Sequence, residues 1–128
     1  MAEGFATMQD GVRLYYRSVG EGPEVVVVPM ALYLAAFLEP LASNRRVVFY
    51  DPRNRGRSDA AHLNTVSLDQ QIEDLEELRK QLGIERMGLI GFSGLGMEMA
   101  AYVIRYPERV TRLVQVSPIP PAAEIMEA

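Results

Sequence analysis

The stretch Met87-Gly-Leu-Ile-Gly-Phe-Ser93-Gly-Leu-Gly-Met-Glu-Met-Ala100 decides the fold. A short apolar run ends at a serine that has Gly91 two places before it and Gly94 directly after it, and an apolar segment of helical length starts at once. Strand, glycine-flanked serine, helix is an order with a mechanical meaning. The glycines let the backbone turn sharply enough to hold the hydroxyl clear of a sheet, and the free N–H groups at the helix start point toward any anion forming beside it. Ser93 is therefore a candidate nucleophile, and the N–H of Gly94 a candidate oxyanion donor.

Outward from this corner the chain alternates. Val25 to Val28 and Arg46 to Tyr50 are short β-branched or aromatic runs of the kind that fill a strand buried on both faces. A helix is expected around Tyr33 to Ser43. Another spans Val66 to Leu82, with Leu68, Ile72, Leu75, Leu78 and Leu82 on one face, acids early and Arg79-Lys80 late. Ser67 with Gln70 resembles a capping box, and Gly83 a C-cap. The helix Gly94 to Tyr106 is stopped by Pro107, and Val110 to Ser117 reads as the next strand. Upstream, Asp10-Gly11 between two alternating segments predicts a β-hairpin with a tight primed turn. The fold class is α/β: a mostly parallel sheet of about six strands, an antiparallel N-terminal hairpin, and helices on both faces. Residues 1–128 read as one domain.

Composition narrows the partners. Of 128 residues, 48% are hydrophobic and 23% charged, enough to bury a core. A net charge of −4 offers no long-range attraction for nucleic acid or an anionic membrane, so neither is an expected partner. Without cysteine there is neither thiolate catalysis nor a thiolate metal site. The N-terminus lacks the basic flank and apolar run of a signal peptide, and the expected location is cytoplasmic. No Gly-Lys-Ser/Thr occurs, and Gly94-Leu-Gly96 is followed by Met99 where a dinucleotide motif needs its third glycine. No cofactor or metal is expected.

Three segments together resemble the α/β-hydrolase superfamily, and within it the esterases and proline-iminopeptidase-like members. Gly91-Phe-Ser93-Gly-Leu-Gly96 resembles the nucleophile elbow, with Leu95 at the usual fifth glycine and Gly96 one place later. Asp51-Pro-Arg-Asn-Arg-Gly56-Arg-Ser58-Asp59 is similar to the loop after the family's fourth strand, with Asn54 at a common glycine position. Tyr106-Pro-Glu-Arg-Val110 is similar to the entry into its sixth strand. The resemblance implies a core running from the hairpin through that sixth strand, Ser93 as the nucleophile, and Ala31 as the second oxyanion N–H. Pro29-Met30 stands where the family commonly has His-Gly. The triad histidine follows the family's eighth strand, and the acid its seventh or, less often, its sixth; this sequence stops before both later strands.

A serine hydroxyl needs a base to take its proton, and such help is worth about a hundred- to ten-thousand-fold. His62, the one histidine, is expected to be a solvated loop residue, and Glu124 an exposed tail residue. An elbow with its oxyanion donors still leaves roughly a thousandfold over water in serine enzymes stripped of triad members. Two readings follow: a serine esterase core acting weakly on small activated esters, or a catalytically silent scaffold of the same fold. Arg53, Arg55 and Arg57 could grip a phosphate or carboxylate, and are expected instead to form a solvated, mutually paired set with Asp51 and Asp59. The helix after Ser93 is apolar nearly all round and is expected to be buried. The final strand would be a bare sheet edge, so the expected partner is a second copy, a homodimer that pairs edges or exchanges terminal elements.

Overall fold

The computed structural model of the chain describes residues 1–116. Six strands form one sheet in the order β1-β2-β4-β3-β5-β6: β1 (Ala2–Thr7), β2 (Arg13–Val19), β3 (Val25–Pro29), β4 (Arg46–Tyr50), β5 (Met87–Phe92) and β6 (Val110–Val116). Both pairings of β2 are antiparallel, with β1 and with β4. The pairs β3–β4, β3–β5 and β5–β6 are parallel. Three helices connect the parallel strands: α1 (Ala31–Leu38), α2 (Leu68–Gln81) and α3 (Leu95–Arg105).

Alternation along the strands makes two cores. Val27, Val48, Tyr50 and Leu89 point to one face, where they pack with Ile72, Leu75 and Leu78 of α2 and Met99 and Tyr102 of α3. Val26, Val28, Val47 and Phe49 point to the other, against Ala31 and Ala35 of α1. Successive strand residues face opposite ways, so a strand covered on both sides must be apolar throughout, as the valine run of β3 is.

Local chemistry sets the helix ends. The Ser67 hydroxyl accepts the Gln70 N–H at 3.1 Å, which caps α2, but the Gln70 side chain turns away to donate to Asp74 at 2.8 Å, so only half of the expected capping box forms. At the other end Gly83 has φ 69°, and the Ile84 and Gly83 N–H groups return to the Arg79 and Lys80 carbonyls, which closes a Schellman motif. The hairpin turn differs from expectation. Gly11 alone of the pair has a left-handed φ, at 90°; its N–H returns to the Met8 carbonyl and Met8 N–H donates to Val12. This is a three-residue loop, in which Asp10 lacks a positive φ and accepts the Val12 N–H, in place of a two-residue primed turn.

Two buried polar networks hold the layers in register. The Arg53 side chain is 0% exposed; its Nε and Nη2 donate to Asp74 of α2 at 2.7 and 2.9 Å, and its Nη1 to Asp10 of the hairpin at 2.7 Å. This overturns the expectation of a solvated arginine set: burying a guanidinium, which stays charged, is costly unless carboxylates offset its lost hydration, and Asp74 does so in fork geometry. The second network joins α2 to α3. Arg79 grips Glu76 through two bonds of 2.7 and 2.9 Å, and the Tyr102 hydroxyl donates to the same carboxylate at 2.7 Å.

Burial disfavours ionisation of Glu76, but the Arg79 guanidinium and the Tyr102 hydroxyl outweigh it and hold the carboxyl below its ordinary 4.5. A depressed carboxyl contributes stability that is full above its unfolded value and fades as pH falls through the folded one. We expect Glu76→Gln to flatten the acid limb below pH 4.5 in a urea-midpoint series from pH 7 to 3, relative to the parent chain. A limb of unchanged slope would show that the network contributes nothing to acid sensitivity.

The helix after Ser93 is not buried all round. Leu95, Met99 and Tyr102 pack inward, while Met97 and Ile104 are exposed, Ile104 at 83%. Among the described residues α3 packs chiefly on β5, α2 and β6. The strand β6 ends the sheet, and Val114 and Val116 on it are exposed.

Candidate active site

Among the described residues three other than glycine have left-handed backbone, and all three lie just past the carboxyl end of a strand: Met30 after β3 at φ 78°, Asn54 after β4 at φ 65°, and Ser93 after β5 at φ 51°. Side chains other than those of glycine and asparagine resist this region, at about 1–3 kcal/mol each, so the surrounding structure must hold Met30 and Ser93 there. Ser93 is held from both sides. Its N–H donates to the Val116 carbonyl at 2.9 Å, which prolongs the β5–β6 ladder, and its carbonyl accepts the Gly96 N–H at 3.0 Å, which starts the helix. A residue bound in the ladder on one side and the helix on the other must turn its side chain outward, and Ser93 is exposed. Its hydroxyl has no hydrogen-bond partner among the described residues.

Small residues make room for this turn. A Cβ placed on Gly91 would lie 2.7 Å from the Gly96 Cα and 3.2 Å from Met99 Cγ, so helix and strand touch backbone to backbone. The fifth elbow position, Leu95, is buried, and Gly96 takes over the close approach. The Gly94 N–H, free at the helix start, has no acceptor among the described residues.

Ala31 occupies the matching place after β3. The strained Met30 N–H donates to the Tyr50 carbonyl at 2.7 Å, and the Leu32 N–H to Asp51 Oδ1 at 3.2 Å, while the Ala31 N–H between them meets no acceptor among the described residues. Because β3 and β5 are parallel neighbours, the Ala31 and Gly94 amides emerge at the same rim. The chain leaves β3 toward β4 on one side and later returns to β5 on the other, so this rim is also the point where the winding reverses and open α/β sheets bind ligands.

The loop Asp51 to Asp59 is braced from below. Asp51, buried, accepts the Leu32 and Arg57 amides, and a Cβ on Gly56 would lie 2.4 Å from its carboxyl carbon. Arg57 lies over the Tyr15 ring at 5.0 Å and donates to its hydroxyl at 3.1 Å.

His62 is exposed, and its imidazole makes no hydrogen bond to any described residue, consistent with the solvated reading. Glu124 lies outside the described residues. Sequence reasoning passed over Glu98 on α3. Burial pushes its carboxyl above the ordinary range, with the nearby Arg55 charge opposing the rise, and it forms no ion pair among the described residues. An acid on an otherwise apolar helix five residues after the candidate nucleophile was the available signal.

Comparison with known proteins bears on this geometry. The family model described as alpha/beta hydrolase fold matches residues 29–128. The chain belongs to the alpha/beta hydrolase family. It is 31% identical over 126 residues to a bifunctional esterase/perhydrolase of Acinetobacter calcoaceticus, covering 92% of this chain and 45% of that protein. It is 33% identical over 117 residues to a proline iminopeptidase of Clostridioides difficile, covering 83% and 39%. A crystal structure of a hydrolase from Pseudomonas aeruginosa superposes with a TM-score of 0.83 at 27% identity, over 98% of this chain and 50% of that one. The chain thus spans about half the length of the relatives it matches. Among the described residues no helix is long and apolar enough to cross a membrane.

Proposed function

We propose that the chain is the core of a serine hydrolase acting on carboxylic esters, with Ser93 as nucleophile and the Gly94 and Ala31 amides as oxyanion donors, in the cytoplasm. The observation that carries this reading is the left-handed, exposed Ser93 at the carboxyl end of β5, bonded to the ladder on one side and the helix on the other. In the reaction Ser93 Oγ forms a bond to the acyl carbon and its proton passes to solvent. The negative oxygen rests on the two amides until the ester C–O bond breaks and the alcohol leaves; water then hydrolyses the acyl-serine. With no imidazole near the hydroxyl among the described residues, the first step depends on an activated leaving group, so turnover is slow and confined to small activated esters.

Incubation with a fluorophosphonate is expected to label Ser93 in the parent chain and leave Ser93→Ala unlabelled; on 4-nitrophenyl acetate the variant falls to the buffer rate. Equal rates for both proteins, with no adduct at residue 93, would end the enzymatic reading.

The exposed β6 edge, and the lack of a base beside Ser93 among the described residues, favour a second reading, a self-associating scaffold. The edge carries one charged residue, Arg112, whose guanidinium is already placed 3.3 Å from Glu24 of its own chain. An edge without free charge lacks the usual protection against pairing with another strand. Static light scattering across a dilution series is expected to report a dimer, and Val114→Lys to shift it to monomer; a monomer at all micromolar concentrations would count against association.

A further inference from the structure

The three arginines of the loop after β4 have different fates. Arg53 is consumed by Asp74 and Asp10, and Arg57 by the ring and hydroxyl of Tyr15. Arg55 makes neither a side-chain hydrogen bond nor an ion pair with any described residue, and it lines a cavity of about 450 Å³ together with Met30, Tyr33 and Gly56. Met30 directly precedes the candidate oxyanion donor Ala31, so the cavity opens at the carboxyl ends of β3 and β4. Ser93 ends β5, on the other side of β3. With strands about 4.8 Å apart, the cavity lies within roughly one to two strand spacings of the hydroxyl, a reach suited to the remote end of a small acyl group.

Neighbouring charges leave this cation available. Asp51, which also lines the cavity, is buried and has both carboxylate oxygens occupied by the Leu32 and Arg57 amides. The Arg55 charge opposes the burial-driven rise of the Glu98 carboxyl, and the two side chains form neither a hydrogen bond nor an ion pair. A planar guanidinium whose donors meet no acceptor among the described residues matches a carboxylate in fork geometry.

We propose that Arg55 is the recognition residue for a carboxylate on the acyl part of the substrate, so that the preferred esters are half-esters of short dicarboxylic acids. The inference builds on the assignment of Ser93 as the nucleophile, and its test is a binding measurement that requires no turnover. Monomethyl glutarate and its neutral counterpart dimethyl glutarate are titrated by NMR into the parent chain, Arg55→Gln, Arg55→Lys and Glu98→Gln at low salt. In the parent chain the half-ester is expected to bind roughly two- to fivefold more tightly than the diester, in the range of an exposed ion pair. Arg55→Gln abolishes the preference, Arg55→Lys keeps part of it, and Glu98→Gln, which removes the opposing charge, enlarges it. Equal binding of the two esters by the parent chain, or a preference that survives in Arg55→Gln, overturns the proposal. A preference for the half-ester without fluorophosphonate labelling of Ser93 would leave the recognition role standing and sink the esterase reading alone.

Discussion

Arg53→Met lowers the stability of the chain by about 3–5 kcal/mol, read as a fall in the urea midpoint at pH 7 with an unchanged denaturant slope. The size follows from what the substitution leaves behind. Asp74 is buried, and with the guanidinium gone its remaining partner is the Gln70 amide at 2.8 Å, so a carboxylate stays out of water without a counter-charge. The double replacement Arg53→Met with Asp74→Leu removes both charges and is expected to recover most of the loss, since a buried pair exchanged as a unit for apolar side chains is often neutral. A single variant within about 1 kcal/mol of the parent would mean that water reaches Asp74 and that the pair is not a keystone.

Gly91→Ala is expected to cost about 1–3 kcal/mol, the range for an overpacked core, and in addition to abolish fluorophosphonate labelling. Ordinary overpacking is relieved by a side chain that rotates away. Here the new methyl would meet the Gly96 Cα at 2.7 Å, a backbone atom, so α3 must lift from β5 and carry Ser93 and the Gly94 amide with it. Gly88→Ala provides the control on the same strand: its Cβ would meet nothing closer than 3.5 Å, and both stability and labelling should survive. Labelling retained in Gly91→Ala would show that the close helix–strand contact does not position the nucleophile.

The elements that could be read from the chain are those whose signal is local. The valine run of β3 and the apolar run of β5 specify doubly covered strands, and Ser67, Gly83 and Pro107 mark helix ends through their own hydrogen bonds or ring. The serine corner was legible for the same reason: strand, turn and helix are consecutive. Charges that pair across the fold were not. Arg53 looked like one of three surface arginines because Asp74 lies 21 residues later and Asp10 43 residues earlier; only the sheet order brings them together. Arg55, two residues on, has the same sequence character and no side-chain partner among the described residues. The hairpin turn was misjudged by one residue of loop, since Asp-Gly suits both a primed turn and the three-residue form. For α3, composition alone suggested burial on every side, whereas the exposure of Met97 and Ile104 depends on what packs against each flank.

Among the described residues, left-handed backbone outside glycine is confined to one rim of the sheet, at Met30, Asn54 and Ser93. Conformational tension is thereby concentrated where the candidate chemistry lies, and the opposite rim, with the connections Gly20–Glu24, Gly83–Arg86 and Tyr106–Arg109, holds such angles only at glycines. Fusion partners, tags or lengthened linkers grafted onto that relaxed rim should leave the reactive edge undisturbed, which makes the molecule a two-sided scaffold for engineering.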